Sequence, residues 1–460
     1  MRSRALYLAS LLITVFLVLL VAATLDTRGT SASPGTIRYV STTGNDGFDC
    51  SSPPLRCRTV QRAIEAATTG DEIRVATGVY TVTAGTVVSV TKTVTLKGGW
   101  DNNFFIRNPD SYPTILDAQG QGRVVYIYGA ISPTIDGFII TGGNAEAADH
   151  YPRQGGGIFS VGANPTIHKN VITNNIASTS TSAFGWGGGI YLYSASALVS
   201  GNQILSNTAS TADVGYGGGL YLISSDATLS GNTISGNTAS TVPGSEGGGV
   251  MLNYSNATLD GNRIISNTAP GGAGLNVVIS APFTLTNNVI AQNQADGVAG
   301  GIRVWGSSAL PTSGALINNT IAQNNLGSGK DGVYAFGTTT LTLTNNIVIS
   351  HTYGIYVVPP ATATADYTLF FDNTSGDTGG SITSTNEVSG DPLFVDLAAW
   401  DYHIQVASPA INKGTFTGAP STDFEGDPRP HDCFVDIGAD ENMASGYCQR
   451  VYLPLIFKNH

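Results

Sequence analysis

The chain has 460 residues, of which 57 are glycine and only 12% are charged, whereas 41% are hydrophobic, which excludes a disordered polar chain. The glycines follow no three-residue period, which excludes collagen. The net charge of −11, with 21 basic residues in all, excludes nucleic acid as a partner because phosphate binding needs clustered lysine and arginine.

The first segment of the chain predicts export. Arg2 and Arg4 precede an apolar run over residues 5–23, as in a secretory signal peptide, with small residues at possible cleavage sites after Ala23 or Ala32. The run is also long enough to remain uncleaved as an anchor. We therefore assign residues 1–32 to a signal peptide or an uncleaved anchor, and we expect membrane contact only through that anchor.

The four cysteines fall into two close pairs. In an exported chain, locally paired cysteines predict disulfides, here Cys50–Cys57 and Cys433–Cys448. Zinc binding is the competing interpretation, but neither pair has the CxxC spacing of a zinc site.

Residues 37–72 predict an N-terminal cap. Thr59 is a suitable N-cap for a short helix over residues 60–67, which Gly70 would end. Apolar residues recur there at the 3–4 spacing of one helix face: Val60, Ala63, Ile64 and Ala67.

A repeat with a period of about 25–32 residues fills most of residues 73–360. Three glycines and an apolar residue recur from Gly155, Gly187, Gly217 and Gly247, and pairs of asparagines five residues apart lie between them. The copies are rich in turn formers and β-branched residues, and their apolar positions alternate over short runs. This pattern predicts three short strands per copy, stacked as about eleven to thirteen coils of a parallel β-helix.

Two features of the repeat predict its interior. Aligned apolar positions predict inward columns, and aligned asparagines predict side-chain ladders that hydrogen-bond along the stack, about 4.8 Å per coil. We also expect the asparagines to adopt left-handed backbone angles at the corners. The inward columns are Ile167, Val199, Leu229, Leu259, Leu285, Leu316 and Leu343, and Ile172, Ile204, Ile234, Ile264, Ile290 and Ile321.

The C-terminal part of the chain loses the repeat and gains acidic residues. We assign residues 361–449 to final coils and a C-terminal cap, and residues 450–460 to an apolar tail that is either a sorting signal or a last edge strand. Asp423, Glu425 and Asp427 are candidate calcium ligands, although a salt bridge to Arg429 would equally explain the acidic residues. No other cofactor is expected.

Three stretches resemble known exported proteins. The segment from Tyr39 to Tyr80 resembles the N-terminal cap and first strand of exported right-handed parallel β-helix proteins. The GGGI and GNTISGNTAS repeats resemble the polymorphic outer-membrane-protein type, and the stretch from SPAINKG to CFVDIGADE resembles the choice-of-anchor Q domain of surface proteins. The resemblance implies an all-β fold, a single-stranded right-handed parallel β-helix with a short N-terminal capping helix. The proteins it covers include adhesin-like surface proteins and, more distantly, polysaccharide lyases and hydrolases.

The sequence yields no catalytic residue. Glycoside hydrolysis needs two carboxyls about 5–9.5 Å apart, and aligning the copies does not place two acids in neighbouring coils of one column. A lyase needs a base and a cation, and the few lysines and arginines of residues 155–360 fall in different columns. A groove holding two carboxyls, or a carboxylate beside arginine or lysine, would favour an enzyme.

The candidate binding site is an outward stripe of aromatic residues. Alternation after each glycine run sends every second side chain outward, where we expect exposed rings that bind an extracellular glycan or a surface protein. Stacking between coils or cover by a loop is the alternative. The predicted function is thus a monomeric, non-catalytic, adhesin-like surface protein, with a polysaccharide lyase or glycoside hydrolase as the alternative. The candidate residues are Trp186, Tyr191, Tyr216, Tyr221, Arg303, Trp305, Tyr334 and Phe336.

Overall fold

A computed structural model describes residues 35–324 and 331–444. The predicted signal or anchor (1–32), the tail (450–460) and Cys448 of the predicted Cys433–Cys448 disulfide lie outside the described residues.

Each coil supplies one strand to each of three long parallel sheets, in the chain order A, B, C, which is the architecture of a parallel β-helix. Sheet A contains Ile37–Val40, Glu72–Ala76, Thr95–Trp100, Thr134–Asp136, Thr166–His168, Leu198–Ser200, Thr228–Ser230, Thr258–Asp260, Phe283–Thr286, Thr312–Ile317, Thr339–Thr344, Thr362–Asp366 and Ile382–Thr385. Sheet B contains Gly78–Thr81, Thr114–Asp117, Ile139–Thr141, Val171–Thr173, Gln203–Leu205, Thr233–Ser235, Arg263–Ile265, Val289–Ala291, Thr320–Ala322, Ile347–Ile349, Leu369–Phe371 and Val388–Ser389. Sheet C contains Val88–Val90, Val125–Tyr128, Ile158–Val161, Ile190–Tyr193, Leu220–Ile223, Val250–Asn253, Leu275–Val278, Ile302–Gly306, Val333–Gly337, Tyr353–Val357 and Gly376–Gly380.

The remaining elements are short. The capping helix is Val60–Ala66, one residue shorter than predicted, and the Thr59 hydroxyl accepts a hydrogen bond from the Arg62 backbone N–H at 3.2 Å. Cys50 and Cys57 form the predicted disulfide. The other elements are the 3₁₀ helices Pro53–Leu55 and Ala145–Ala147, the parallel pairs Ile176–Ser178 with Thr208–Ser210 and Gly185–Trp186 with Gly215–Tyr216, and the antiparallel pair Phe394–Asp396 with Asp401–Ile404.

The predicted core columns are confirmed, since every member has at most 1% of its surface exposed. The asparagine ladders are also confirmed. Asn232, for example, donates from Nδ2 to the Val199 carbonyl at 2.8 Å and to Asn262 Oδ1 at 2.9 Å, and its Oδ1 accepts from the backbone and side chain of Asn202. These hydrogen bonds provide partners for polar groups that would be costly to bury between the coils without them.

The prediction that the ladder asparagines themselves adopt left-handed angles is wrong. The residue before each of them does so, such as Lys169, Gly201 and Gly231 with φ of 50°, 62° and 60°. The sharp turn therefore precedes the asparagine, which leaves the asparagine side chain to point inward under the corner.

His351 takes the place of an asparagine within the second ladder, which Asn373 continues in the next coil. The imidazole is fully buried, and its Nε2 accepts a hydrogen bond from the Asn324 backbone N–H at 3.2 Å. Burial lowers the pKa of His351 to about 3, so the ring is neutral in the folded protein.

Stability should therefore fall as the pH drops from about 6.5 towards 3, because the unfolded chain binds a proton that the folded protein excludes. Replacing His351 with asparagine should remove about 3 kcal/mol of this acid-induced loss between pH 7 and pH 4. Urea midpoints of both proteins at the two pH values measure the effect. An equal loss of stability in both proteins at low pH would contradict the conclusion that burial keeps the His351 ring neutral.

Residues 391–444, which we name the C-terminal cover, run along the outer face of sheet B. Its apolar residues, including Tyr402 and Ile437, pack with Val289, Ile347 and Leu369 of the sheet. Residues 361–389, by contrast, include strands that continue all three sheets. The segment predicted to cap the end of the stack thus includes a long stretch that covers its side.

Candidate functional site

Six of the eight candidate residues lie on the outer face of sheet C, whereas Trp186 and Tyr216 lie in the separate two-stranded sheet beside it. We name the column of outward side chains in register along this sheet the sheet C ridge. Neighbouring rings stack, with centroids 5.1 Å apart for Tyr191 and Tyr221 and 6.0 Å apart for Tyr334 and Tyr356. The ridge consists of Tyr126, Phe159, Tyr191, Tyr221, Met251, Asn276, Arg303, Tyr334 and Tyr356.

The first half of the ridge is covered, so the prediction of exposed rings is wrong there. Tyr191 and Tyr221 are only 7% and 5% exposed. Segments inserted before the glycine runs fold over them, and these segments carry Trp186 and Tyr216, which are half-buried against the same cluster. These four candidate residues therefore form a second apolar core outside the sheet.

Arg123 holds the first of these inserted segments in place. Its guanidinium is fully buried and donates hydrogen bonds of 2.6–3.1 Å to the carbonyl oxygens of His150, Tyr151, Gln154 and Gly155. It also lies 4.9 Å from the centroid of the Phe159 ring. Burial lowers the pKa of Arg123 to about 10, which still leaves it charged at neutral pH.

The second half of the ridge is more open, and the other four candidates lie there, Arg303 and Tyr334 in the ridge and Trp305 and Phe336 in the outward column next to it. Arg303, Trp305, Tyr334 and Phe336 are all half-buried and lie on two adjacent strands. The Phe336 ring centroid lies 6.4 Å from that of Trp305 and 5.5 Å from that of Tyr334. We name these four residues together with Tyr356 the open patch.

An ion pair fixes the arginine of the open patch. Arg303 Nη1 lies 2.6 Å from Glu246 Oε1 and 3.3 Å from Asn276 Oδ1, and the guanidinium carbon lies 4.9 Å from the Phe336 ring centroid. Asn276 in turn donates to Glu246 Oε2 at 2.9 Å. The guanidinium is thus held flat against a ring, with its charge balanced by Glu246.

Sequence reasoning missed Glu246. It lies in register with Trp186 and Tyr216, at the position just before the glycine run of the next copy. The repeat alignment therefore showed that Glu246 shares a column with two aromatic residues. Without knowledge of its contact with Arg303, 57 residues away, such an acid is interpreted as a solvated charge in a loop.

A cavity of about 330 Å³ lies where the inserted segments end and the open patch begins. Residues 241–246 form one side, and Glu246, Asp296 and Arg303 all contribute to its lining. Two carboxyls and a guanidinium therefore share one cavity, an arrangement that the sequence alignment did not predict.

A larger groove of about 610 Å³ lies beside the first strands of sheet B. It is lined on one side by Pro109, Asp110 and Pro113, and on the other by Lys169 and Gln203. The groove thus contains both a lysine and a carboxylate. A lyase could use the lysine as a base and the carboxylate to bind a cation.

Two of the three calcium candidates, Asp423 and Glu425, make other contacts through their carboxylates. Asp423 Oδ1 accepts hydrogen bonds from the backbone N–H groups of Glu425, Gly426 and Asp427, and Glu425 Oε2 lies 2.9 Å from His403 Nε2. Within the described ranges, no group of three or more histidine, cysteine, aspartate or glutamate residues is placed to hold a metal ion.

The salt bridge proposed as the alternative to calcium is present. The buried Arg429 lies 3.2 Å from Glu441 and donates to backbone carbonyls of the cover. Burial raises the pKa of Asp436, which accepts backbone hydrogen bonds beside this pair, to about 7. The acidic residues thus serve the packing of the cover.

Comparisons with known proteins concern the repeat region. A family model described as right-handed beta helix region matches residues 111–242 and 186–364. No curated protein matches the chain significantly. Within residues 35–324 and 331–444, no helix has both the length and the apolar composition required to cross a membrane.

Two solved structures are similar over most of the chain. One is the pectate lyase Pel9A, with 13% identity, a TM-score of 0.41, and coverage of 90% of this chain and 98% of that one. The other is XylC in complex with xylose, with 12% identity, a TM-score of 0.41, and coverage of 89% and 99%.

Proposed function

Because the chain belongs to the right-handed β-helix family, whose fold hosts several activities, we propose its function from the site: it binds extracellular glycan through the open patch without cleaving it. The observation that carries this proposal is the arrangement of Arg303, which is fixed by Glu246 against Phe336 beside the half-buried Trp305. A ring offers an apolar face for a sugar, and an oriented guanidinium offers directed donors.

We infer that the protein is located outside the cell, as this proposal requires. The predicted export signal, the local disulfide Cys50–Cys57, and the resemblance to surface proteins of the polymorphic outer-membrane-protein and choice-of-anchor Q types all favour a secreted or surface-held protein. The protein would then act as an adhesin-like monomer that contacts glycan of its surroundings.

Replacing Trp305 with alanine should weaken glycan binding by about 2 kcal/mol, or roughly 30-fold, because binding energy concentrates in a few large residues. A glycan array followed by titration of the bound glycans measures this loss. Tyr193→Ala is the matched control, since Tyr193 is 41% exposed on the same sheet but lies outside the open patch. Wild-type binding by the Trp305 variant would contradict the proposal.

A second candidate function is polysaccharide cleavage. The groove with Lys169 and Asp110 favours a lyase, and the cavity with Glu246 and Asp296 favours a hydrolase. Incubation with polysaccharides decides between binding and cleavage, because a lyase produces unsaturated sugars that absorb ultraviolet light and a hydrolase produces reducing ends. Activity that Lys169→Met or Asp296→Asn abolishes would replace the binding proposal.

A further inference from the structure

The charges around the open patch restrict the kind of glycan that it can hold. Among the described residues, Glu246 and Asp296 line the adjoining cavity, and burial together with the nearby Asp331 carboxylate raises the pKa of the Tyr334 hydroxyl. Among the described side chains, Arg303 carries the positive charge that lies beside these acids. In the part of the chain that the structure describes, acidic groups around the open patch therefore outnumber basic ones.

The single arginine does not present free positive charge. Its contact of 2.6 Å with Glu246 and its hydrogen bond to Asn276 neutralise the guanidinium and fix its direction. A carboxylate of a ligand would lie beside the negative charge of Glu246, which already pairs with Nη1 of Arg303, and it would approach a protein of net charge −11.

The rest of the patch offers apolar faces. The rings of Trp305, Phe336, Tyr334 and Tyr356 follow one another with centroid separations of 5.5–6.4 Å across three adjacent strands. Pockets of this kind, mostly aromatic with a few oriented polar groups, select ligands by shape and hydrogen bonding rather than by charge.

We propose that the ligand of the open patch is a neutral polysaccharide and that the Glu246–Arg303 pair excludes acidic ones. This inference rests on the proposed function and names its ligand class.

Titrations with defined polymers test it. Xylan, galactomannan and mixed-linkage glucan serve as neutral probes, and polygalacturonate and alginate serve as acidic probes, all at one ionic strength. We expect at least one neutral polymer to bind at least tenfold more tightly than either acidic polymer. Binding of a neutral polymer that Trp305→Ala does not weaken would overturn the assignment of the ligand to the open patch.

Glu246→Gln provides the decisive variant. It removes one negative charge and releases the guanidinium, so binding of polygalacturonate or alginate should tighten at least tenfold. Glu65→Gln is the matched control, because it makes the same change in net charge at an exposed position on the capping helix. If Glu246→Gln unfolds early, Glu246→Asp replaces it, because the shorter carboxylate keeps the charge but weakens the contact with Arg303, and binding of the acidic polymers should again tighten.

The outcomes separate the two proposals. Tight, Trp305-dependent binding of an acidic polymer by the wild-type protein would overturn the ligand class and leave the glycan-binding function intact. An identical response of Glu246→Gln and Glu65→Gln would overturn the role of the ion pair. Binding of neither class would overturn the proposed function itself.

Discussion

Replacing Arg123 with methionine is expected to destabilise the protein by about 3–5 kcal/mol. Methionine keeps much of the buried volume, but the carbonyl oxygens of His150, Tyr151, Gln154 and Gly155 would all lose their donor. A buried acceptor left without a partner costs about 1–3 kcal/mol, and the cation–π contacts with Tyr126 and Phe159 are lost as well.

Urea denaturation and amide exchange over residues 144–157 measure the effect. We expect a lower urea midpoint and early loss of protection in that segment, since it covers the first half of the sheet C ridge. Lys413→Met, at an exposed position of the cover, is the control and should change stability by at most about 0.5 kcal/mol. An unchanged midpoint would mean that the segment is held by its other contacts.

Replacing Asn232 with leucine is expected to cost about 3 kcal/mol. The change removes four hydrogen bonds of the side chain and leaves the Val199 carbonyl and the backbone N–H of Asn202 buried without partners. Calorimetry and urea midpoints of the purified variant measure the loss.

The control for the ladder is Asn256→Leu in the next coil. Asn256 is exposed, and its backbone N–H, which leucine retains, donates to Asp226 Oδ1 at 3.0 Å. Equal midpoints for the Asn232 and Asn256 variants would show that the ladder contributes nothing beyond ordinary turn propensity.

The stack of coils was predictable from the sequence because every copy of the repeat specifies the same contacts with its neighbouring coils. Ile204, Ile234 and Ile264 occupy one register position in successive strands, and Asn207, Asn237 and Asn267 occupy another. A pattern of this kind is read without knowing any long-range contact, since each coil packs only on its neighbours.

The parts that were not predictable depend on contacts that occur once. Tyr191 and Tyr221 alternate as outward residues should, but whether they meet solvent depends on inserted segments whose path the repeat does not encode. The same holds for Arg123, whose partners lie 27–32 residues away in an irregular segment, and for the cover, which returns along sheet B.

The C-terminal cover also sets the order in which this molecule can assemble. The coils can add one after another as the chain is made, because each strand pairs with a strand only one coil away. Arg263 meets Trp400, and Asn318 meets Asp436, across separations of 137 and 118 residues. The apolar outer face of sheet B at Val289, Ile347 and Leu369 therefore remains exposed to solvent until almost the whole chain has been synthesised. During that interval this face is the site most exposed to aggregation and to capture by chaperones.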